Sequence, residues 1–246
     1  MHTWRFCWSR VRYFGQQWPS YLRRIIRHFW QWTQPYRTLP YAPDLSGVER
    51  FAHWWTELLF LLLDLLGISC FYDCWMSLVK YQTRGLSQEE VQMAQRIFGD
   101  AIVWDLVRID DRSYVGCRRY RFAYVSFFTI NSWGALRADI LIHELVHVLQ
   151  YQQMGAVYIV RALYAQRTSM GYDYGGEERL MMQKAFGAGV WDFNLEQQAD
   201  IVTDYFRLKH GLPPQWGRAD VSSLPLYYWY VGQLVKRSTR FGGTRF

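Results

Sequence analysis

Ile142-His143-Glu144-Leu145-Val146-His147-Val148 is the stretch from which the rest of the chain can be read. Two histidines four residues apart on a helix point the same way, one turn above the other, so both imidazoles can reach one ion while Glu144 reaches a water beside it. The surrounding pattern predicts a helix over 137–154 that stops at Gly155. Its apolar residues, among them Ile140, Leu141, Leu145, Val146 and Leu149, fall on nearly every side, so the helix is expected to be buried. Buried imidazoles need partners.

Two histidines are too few for a stable zinc centre, which usually takes three protein ligands and keeps one position for water. The best downstream candidate is Glu196, in Asn194-Leu195-Glu196-Gln197-Gln198-Ala199-Asp200. Apolar residues from Ile201 to Leu208 continue that segment as a helix to about His210. Glu196 can then face the ion, while Asp200, one turn on, accepts the free ring N–H of His143 or His147. Asp173, Glu177 and Glu178 are alternative ligands and rank lower, because none has a helical ExxxD partner. Mixed histidine and carboxylate ligation makes Zn2+ the default metal. A developing oxyanion would need a donor; Tyr172 and Tyr174, in a glycine-rich loop, are candidates. His210 is another, although beside Gly211 it also suits a helix C-terminal cap.

At 246 residues, half of them apolar, the chain can bury a sizeable core. The formal net charge of +7 is uneven: residues 1–50 carry eight arginines against Asp44 and Glu49, and residues 236–246 hold four basic residues and no acid. Such a basic N-terminus, rich in Trp, can form a packed and solvated layer, or meet nucleic acid, an anionic lipid surface or an acidic protein partner. No recognisable motif supports nucleic-acid binding. Four cysteines make no disulfide framework in a chain this long, and a reducing compartment fits them. Arginine at 5, 10 and 12, with no uninterrupted apolar run, predicts that no Sec leader is cleaved. Asp64 interrupts the apolar run Leu58–Leu66, which favours a core or partner-facing helix over a membrane span.

The pattern divides the chain into a basic, Trp-rich helical extension and linker (1–47), an apolar helical layer (48–85), a catalytic unit (86–240) and a basic tail (241–246). Within the first part, short amphipathic helices are expected between breaks. Tyr21–Trp32, bracketed by Pro19 and Pro35, sets Leu22, Ile25, Ile26 and Phe29 on one side, and 38–47 reads as a linker. Residues 48–80 suit two helices meeting near Gly67. Ser87-Gln88-Glu89-Glu90 is a capping box that starts a helix stopped by Gly99. Strands are expected over 101–109 and 121–130, the second lying beside the metal helix, where a peptide could be held by backbone hydrogen bonds.

HExxH followed by ExxxD on a later helix resembles the gluzincin, thermolysin-like metallopeptidases. The resemblance implies that His143, His147 and Glu196 bind zinc, that Glu144 activates water, and that Asp200 supports a ligand. A closer likeness runs from Leu86-Ser87 through Phe98-Gly99-Asp100-Ala101, Val107-Arg108-Ile109, the run His143 to Gln150, and Glu196 to Asp200. These segments resemble a bacterial family known as VgrG-related proteins or the extracellular contractile injection system core domain. That likeness covers about residues 50–210 and leaves out the first 45. The chain departs from the thermolysin pattern in lacking an evident positioned histidine downstream. Together the resemblances imply a predominantly helical α+β fold, with a zincin-like metallopeptidase core, a small antiparallel sheet and an N-terminal helical extension. They also imply a bacterial cytoplasmic protein, delivered by a type VI-like, non-Sec system, with a protein or peptide substrate and secretion-machinery partners. Three classes of function remain: a zinc endopeptidase, a metal-binding structural or adaptor component of such a machine, and a membrane-associated or nucleic-acid-binding protein driven by its basic ends.

Overall fold

The computed structural model describes residues 2–32, 46–80, 82–114, 117–120, 122–168 and 171–241. The linker expected at 38–47 and the tail at 241–246 lie largely outside them. The architecture is predominantly helical α+β with a small sheet, as the sequence predicts.

Three helices form an N-terminal layer: α1 (His2–Trp32), α2 (Gly47–Leu65) and α3 (Ile68–Val79). Ser46 and Glu49 make a reciprocal capping box at the start of α2, and Gly67, at φ 74°, turns the chain into α3. The expected break at Pro19 does not occur; α1 runs through it. Pro19 and Gly15, whose carbonyl loses its partner, both lie on the exposed side, so water can take the freed bond. The extension and the apolar layer are also not separate, since α1 packs against both α2 and α3.

Strand β1 (Arg84–Gly85) follows, so the boundary expected at residue 85 falls inside the sheet. The capping box at Ser87 opens α4 (Gln88–Phe98), which Gly99 ends. Residues 101–107 do not extend as a strand. The Gln152 side chain accepts from Val103 N and donates to Ala101 O, taking the place of a neighbouring strand, and Trp104–Leu106 is a single 3-10 turn. Only β2 (Arg108–Asp110) is extended. After the short α5 (Cys117–Tyr120), the strand expected over 121–130 is instead a hairpin. Its arms are β3 (Tyr124–Ser126) and β4 (Thr129–Asn131), joined by Phe127 and Phe128, with Phe127 at φ 57°. The sheet order is β1-β2-β4-β3. It is mixed rather than antiparallel, because β2 and β4 pair in parallel across the segment containing α5.

The helical body comprises α6 (Ala138–Met154), α7 (Val157–Arg167), α8 (Gly176–Ala185), α9 (Leu195–Lys209) and α10 (Leu224–Phe241). Helices α6 and α9 pack along each other at its centre; Ile142, Leu145, Val146, Ala199, Ile201 and Val202 between them are fully buried. This apolar contact fixes the two segments that carry the candidate ligands in one register.

The N-terminal layer is fastened to this body by charges. Arg10 donates to Asp73 at 2.7 Å and to the Tyr151 hydroxyl on α6, and Arg161 on α7 grips Glu57 at 2.7 and 3.0 Å. Asp64 explains its own place in an apolar run: it is fully buried, accepts from Ser69, and takes the Ala156 N–H at the start of α7. Arg24 donates to the carbonyls of Gln152 and Gln153 at the end of α6. A Cβ at Gly155 would lie 2.1 Å from the Asp64 carboxylate, so glycine both ends α6 and admits this clasp.

Candidate metal centre

Two turns of α6 present His143 and His147, and the first turn of α9, started by the Asn194–Gln197 capping box, presents Glu196. The two Nε2 atoms are 3.2 Å apart, and Glu196 Oε2 lies 3.4 Å from that of His143 and 3.3 Å from that of His147. Ligand atoms held tetrahedrally at roughly 2.0–2.1 Å from zinc stand about 3.3–3.4 Å apart, so the triangle has the dimensions of three corners of such a site.

The protonation of the rings follows from their outer partners. His143 Nδ1 lies 2.9 Å from Asp200 Oδ1, and an ionised carboxylate can only accept, so Nδ1 carries the proton. His147 Nδ1 lies 2.8 Å from Gln150 Oε1. The orientation of that amide is set on its other side, where Gln150 Nε2 donates to Leu195 O and Gln198 Oε1. Both Nε2 atoms therefore aim, when unprotonated, lone pairs at the point that Glu196 Oε2 also faces. Glu196 Oε1 accepts from Gln166 Nε2 at 2.9 Å, leaving Oε2 buried with no hydrogen bond. Three facing lone pairs repel one another unless a cation lies between them.

The local charge points the same way. Burial opposes a charge on His143, yet the facing Asp200 and Glu196 carboxylates outweigh it and push the pKa up to about 10, so that without an ion a proton supplies the positive charge. For His147 burial likewise opposes and Glu196 raises. Glu196 is held well below the usual carboxylate range: burial works against this, and the His147 charge overcomes it. The pocket thus favours positive charge at its centre. Glu144, on the turn between the two histidines, is buried and its Oε2 has no partner; burial pushes its pKa up against the two histidines.

Asp200 is oriented by residues the sequence did not single out. Its Oδ2 accepts from Trp216 Nε1 at 2.6 Å. The backbone N–H groups of Gln215 and Trp216 are in turn held by Asp204. Gln150 had a legible signal, lying three residues beyond His147 on the same helical face, and so did Asp204, four beyond Asp200. Trp216 and Gln166 had none, since they arrive from a loop and from another helix.

The other candidates separate clearly. Tyr172 lies at the rim, its ring 6.1 Å from that of His143, and burial with the nearby Glu196 and Glu144 charges keeps its phenol protonated. Tyr174 is not available as an oxyanion donor. It is fully buried and its hydroxyl donates to Asp204 at 2.7 Å, beside the Tyr227 hydroxyl, so it steadies the support of Asp200. His210 caps α9, with Nδ1 2.8 Å from Phe206 O and its ring against Phe206. Asp173 accepts from Gly175 N, and Glu177 from Ser223; neither they nor Glu178 join the cluster.

The sheet brings β3 to its outer edge beside α6. Tyr158, whose ring is 6.4 Å from that of His147, donates its hydroxyl to Val125 O and so ties this edge to the floor of the site.

Over 152 residues the chain is 30% identical to the type VI secretion system spike protein VgrG2b of Pseudomonas aeruginosa. The match takes in 57% of this chain and 14% of that protein, so the chain spans about one seventh of its relative. No family model matches the sequence, and no solved structure matches it.

Proposed function

We propose that this chain is a zinc-dependent metallopeptidase acting in a type VI-like secretion context. The observation that carries the reading is the convergence of His143 Nε2, His147 Nε2 and Glu196 Oε2, with the unpartnered carboxylate of Glu144 on the adjoining turn. When bound, zinc supplies a Lewis acid that activates water near neutral pH and polarises a carbonyl. The protein's own groups do the rest. Glu144 takes a proton from water at Oε2 and returns it to the amine nitrogen that leaves, a transfer eased by the low polarity that raises its pKa. Asp200 and Gln150 keep each ring proton on Nδ1. The edge of β3, whose Val125 carbonyl Tyr158 already takes, borders the site, and Tyr172 is the phenol at the rim nearest to donate to an oxyanion. The likeness to a spike protein supports the secretion context and secretion-machinery partners.

The test is zinc content and peptide cleavage of the purified chain beside Glu144→Gln. The variant should keep its zinc and lose roughly 10²- to 10⁴-fold in turnover. Unchanged cleavage would rule out Glu144 as the base. A zinc-loaded parent that cleaves nothing would favour the second reading, a metal-stabilised structural or adaptor component, which the likeness to a spike protein also supports.

A further inference from the structure

The N-terminal layer buries its acids and leaves much of its apolar surface exposed. Along α1, Trp4, Trp8, Val11, Trp18, Leu22 and Ile26 recur at intervals of three, four and seven, which places them in one stripe, and all are exposed, Trp4 at 78%. On α2 the exposed apolar residues Val48, Trp55, Leu59, Leu62 and Leu66 repeat the pattern. On α3 they are Ile68, Phe71, Trp75, Leu78 and Val79. The faces turned inward carry Arg10, Glu57, Asp64 and Asp73, all below 4% exposure, among the buried Phe6, Tyr13, Leu58 and Leu61. Three packed helices sharing this pattern leave far more apolar surface than a free surface of a monomer usually shows.

Charge identifies what covers it. Helix α1 contains no acidic residue, and Arg5, Arg23 and Arg27 are exposed along one flank of its stripe. The acids of α2 and α3 are buried in the ion pairs and cap already described, apart from Glu49 in its capping box. Exposed tryptophan beside arginine matches the boundary between acyl chains and anionic headgroups. No single helix among the described residues is long and apolar enough to cross a membrane; α2 and α3 together have the composition but are bent by 66°. Their inner faces are also pinned to α6 and α7 by Asp64, Glu57 and Arg10. Lipid can therefore reach one side only.

We propose that the outer face of α1–α3 docks flat on an anionic lipid bilayer, sinking its apolar stripes about 5–10 Å into the headgroup boundary and holding the candidate metal centre at the membrane surface. A second copy of the chain on this face would set arginine flanks against one another, whereas anionic headgroups neutralise them.

The experiment is co-sedimentation of the full chain with extruded phosphatidylcholine vesicles, with and without phosphatidylglycerol. Binding should need the anionic lipid and weaken with salt. Trp8→Glu with Ile26→Glu should lower the bound fraction at least ~10-fold, and Arg5→Gln with Arg23→Gln should do so by ~10-fold on anionic vesicles. Phe186→Glu, at a residue 82% exposed outside the layer, should change nothing. Far-UV circular dichroism and the unfolding midpoint establish that each variant is folded. The proposal is overturned if a folded Trp8/Ile26 variant binds like the parent, or if the parent binds neither vesicle. It is equally overturned if the parent is a dimer that ignores vesicles and that the same substitutions dissociate.

Discussion

In the α1–α3 layer Asp73 is paired with Arg10 and Glu57 with Arg161, whereas between α6 and α9 Glu144, Glu196 and Asp200 are buried with no lysine or arginine paired to them among the described residues. The same physical problem, a carboxylate taken out of water, has two solutions here. The layer is closed electrostatically: each buried acid has a cation or a helix N-terminus, so it serves as a fastening. The site is left open by charge. Two imidazoles and a carboxylate face a common point, and the hydrogen bonds with Asp200, Gln150 and Gln166 behind them hold them there. In the layer a buried acid with its counter-charge built in fastens helices, whereas Glu196, which has no lysine or arginine beside it among the described residues, faces a place for an ion.

That contrast predicts substitutions that separate zinc affinity from stability. Glu196→Ala should reduce zinc affinity on the order of a thousandfold, read by competition with a chromophoric chelator. If zinc is lost from His143→Ala but kept by Glu196→Ala, the third ligand is wrong. Arg10→Met should act the other way, lowering stability by about 3–5 kcal/mol in denaturant unfolding with or without zinc, because Asp73 is left buried and alone. A loss below about 1 kcal/mol would mean that the layer is not closed in the way described.

Smaller effects grade the support of the site. Trp216→Phe removes the indole N–H from Asp200 without opening much space, and zinc affinity should fall roughly 10- to 100-fold. Ser87→Ala, in a cap that belongs to neither charge system, should cost about 1 kcal/mol of stability and leave zinc affinity unchanged.

How far the sequence reached depended on whether the deciding contacts were local. The α6 helix and its glycine stop, the Ser87 capping box, the turn at Gly67, and the spacing that aims His143, His147, Glu196 and Asp200 are all set within one or two turns of helix. The strand expected at 101–109 failed because Gln152, some fifty residues away, replaces its neighbour. The strand expected at 121–130 folded back because Phe127 adopts a positive φ that no residue preference announces. Tyr174 looked equivalent to Tyr172 until packing sent one hydroxyl to Asp204 and left the other at the rim.

By itself, then, the sequence determined the helices that matter and the identity of the groups that can converge, because periodicity and capping are properties of adjacent residues. Only the tertiary structure decided which ring Asp200 holds, that Trp216 and Gln166 brace Asp200 and Glu196, and that the apolar stripes of α1–α3 face outward. Those depend on which surfaces meet, and the buried ion pairs to α6 and α7 turn the polar faces of the layer inward.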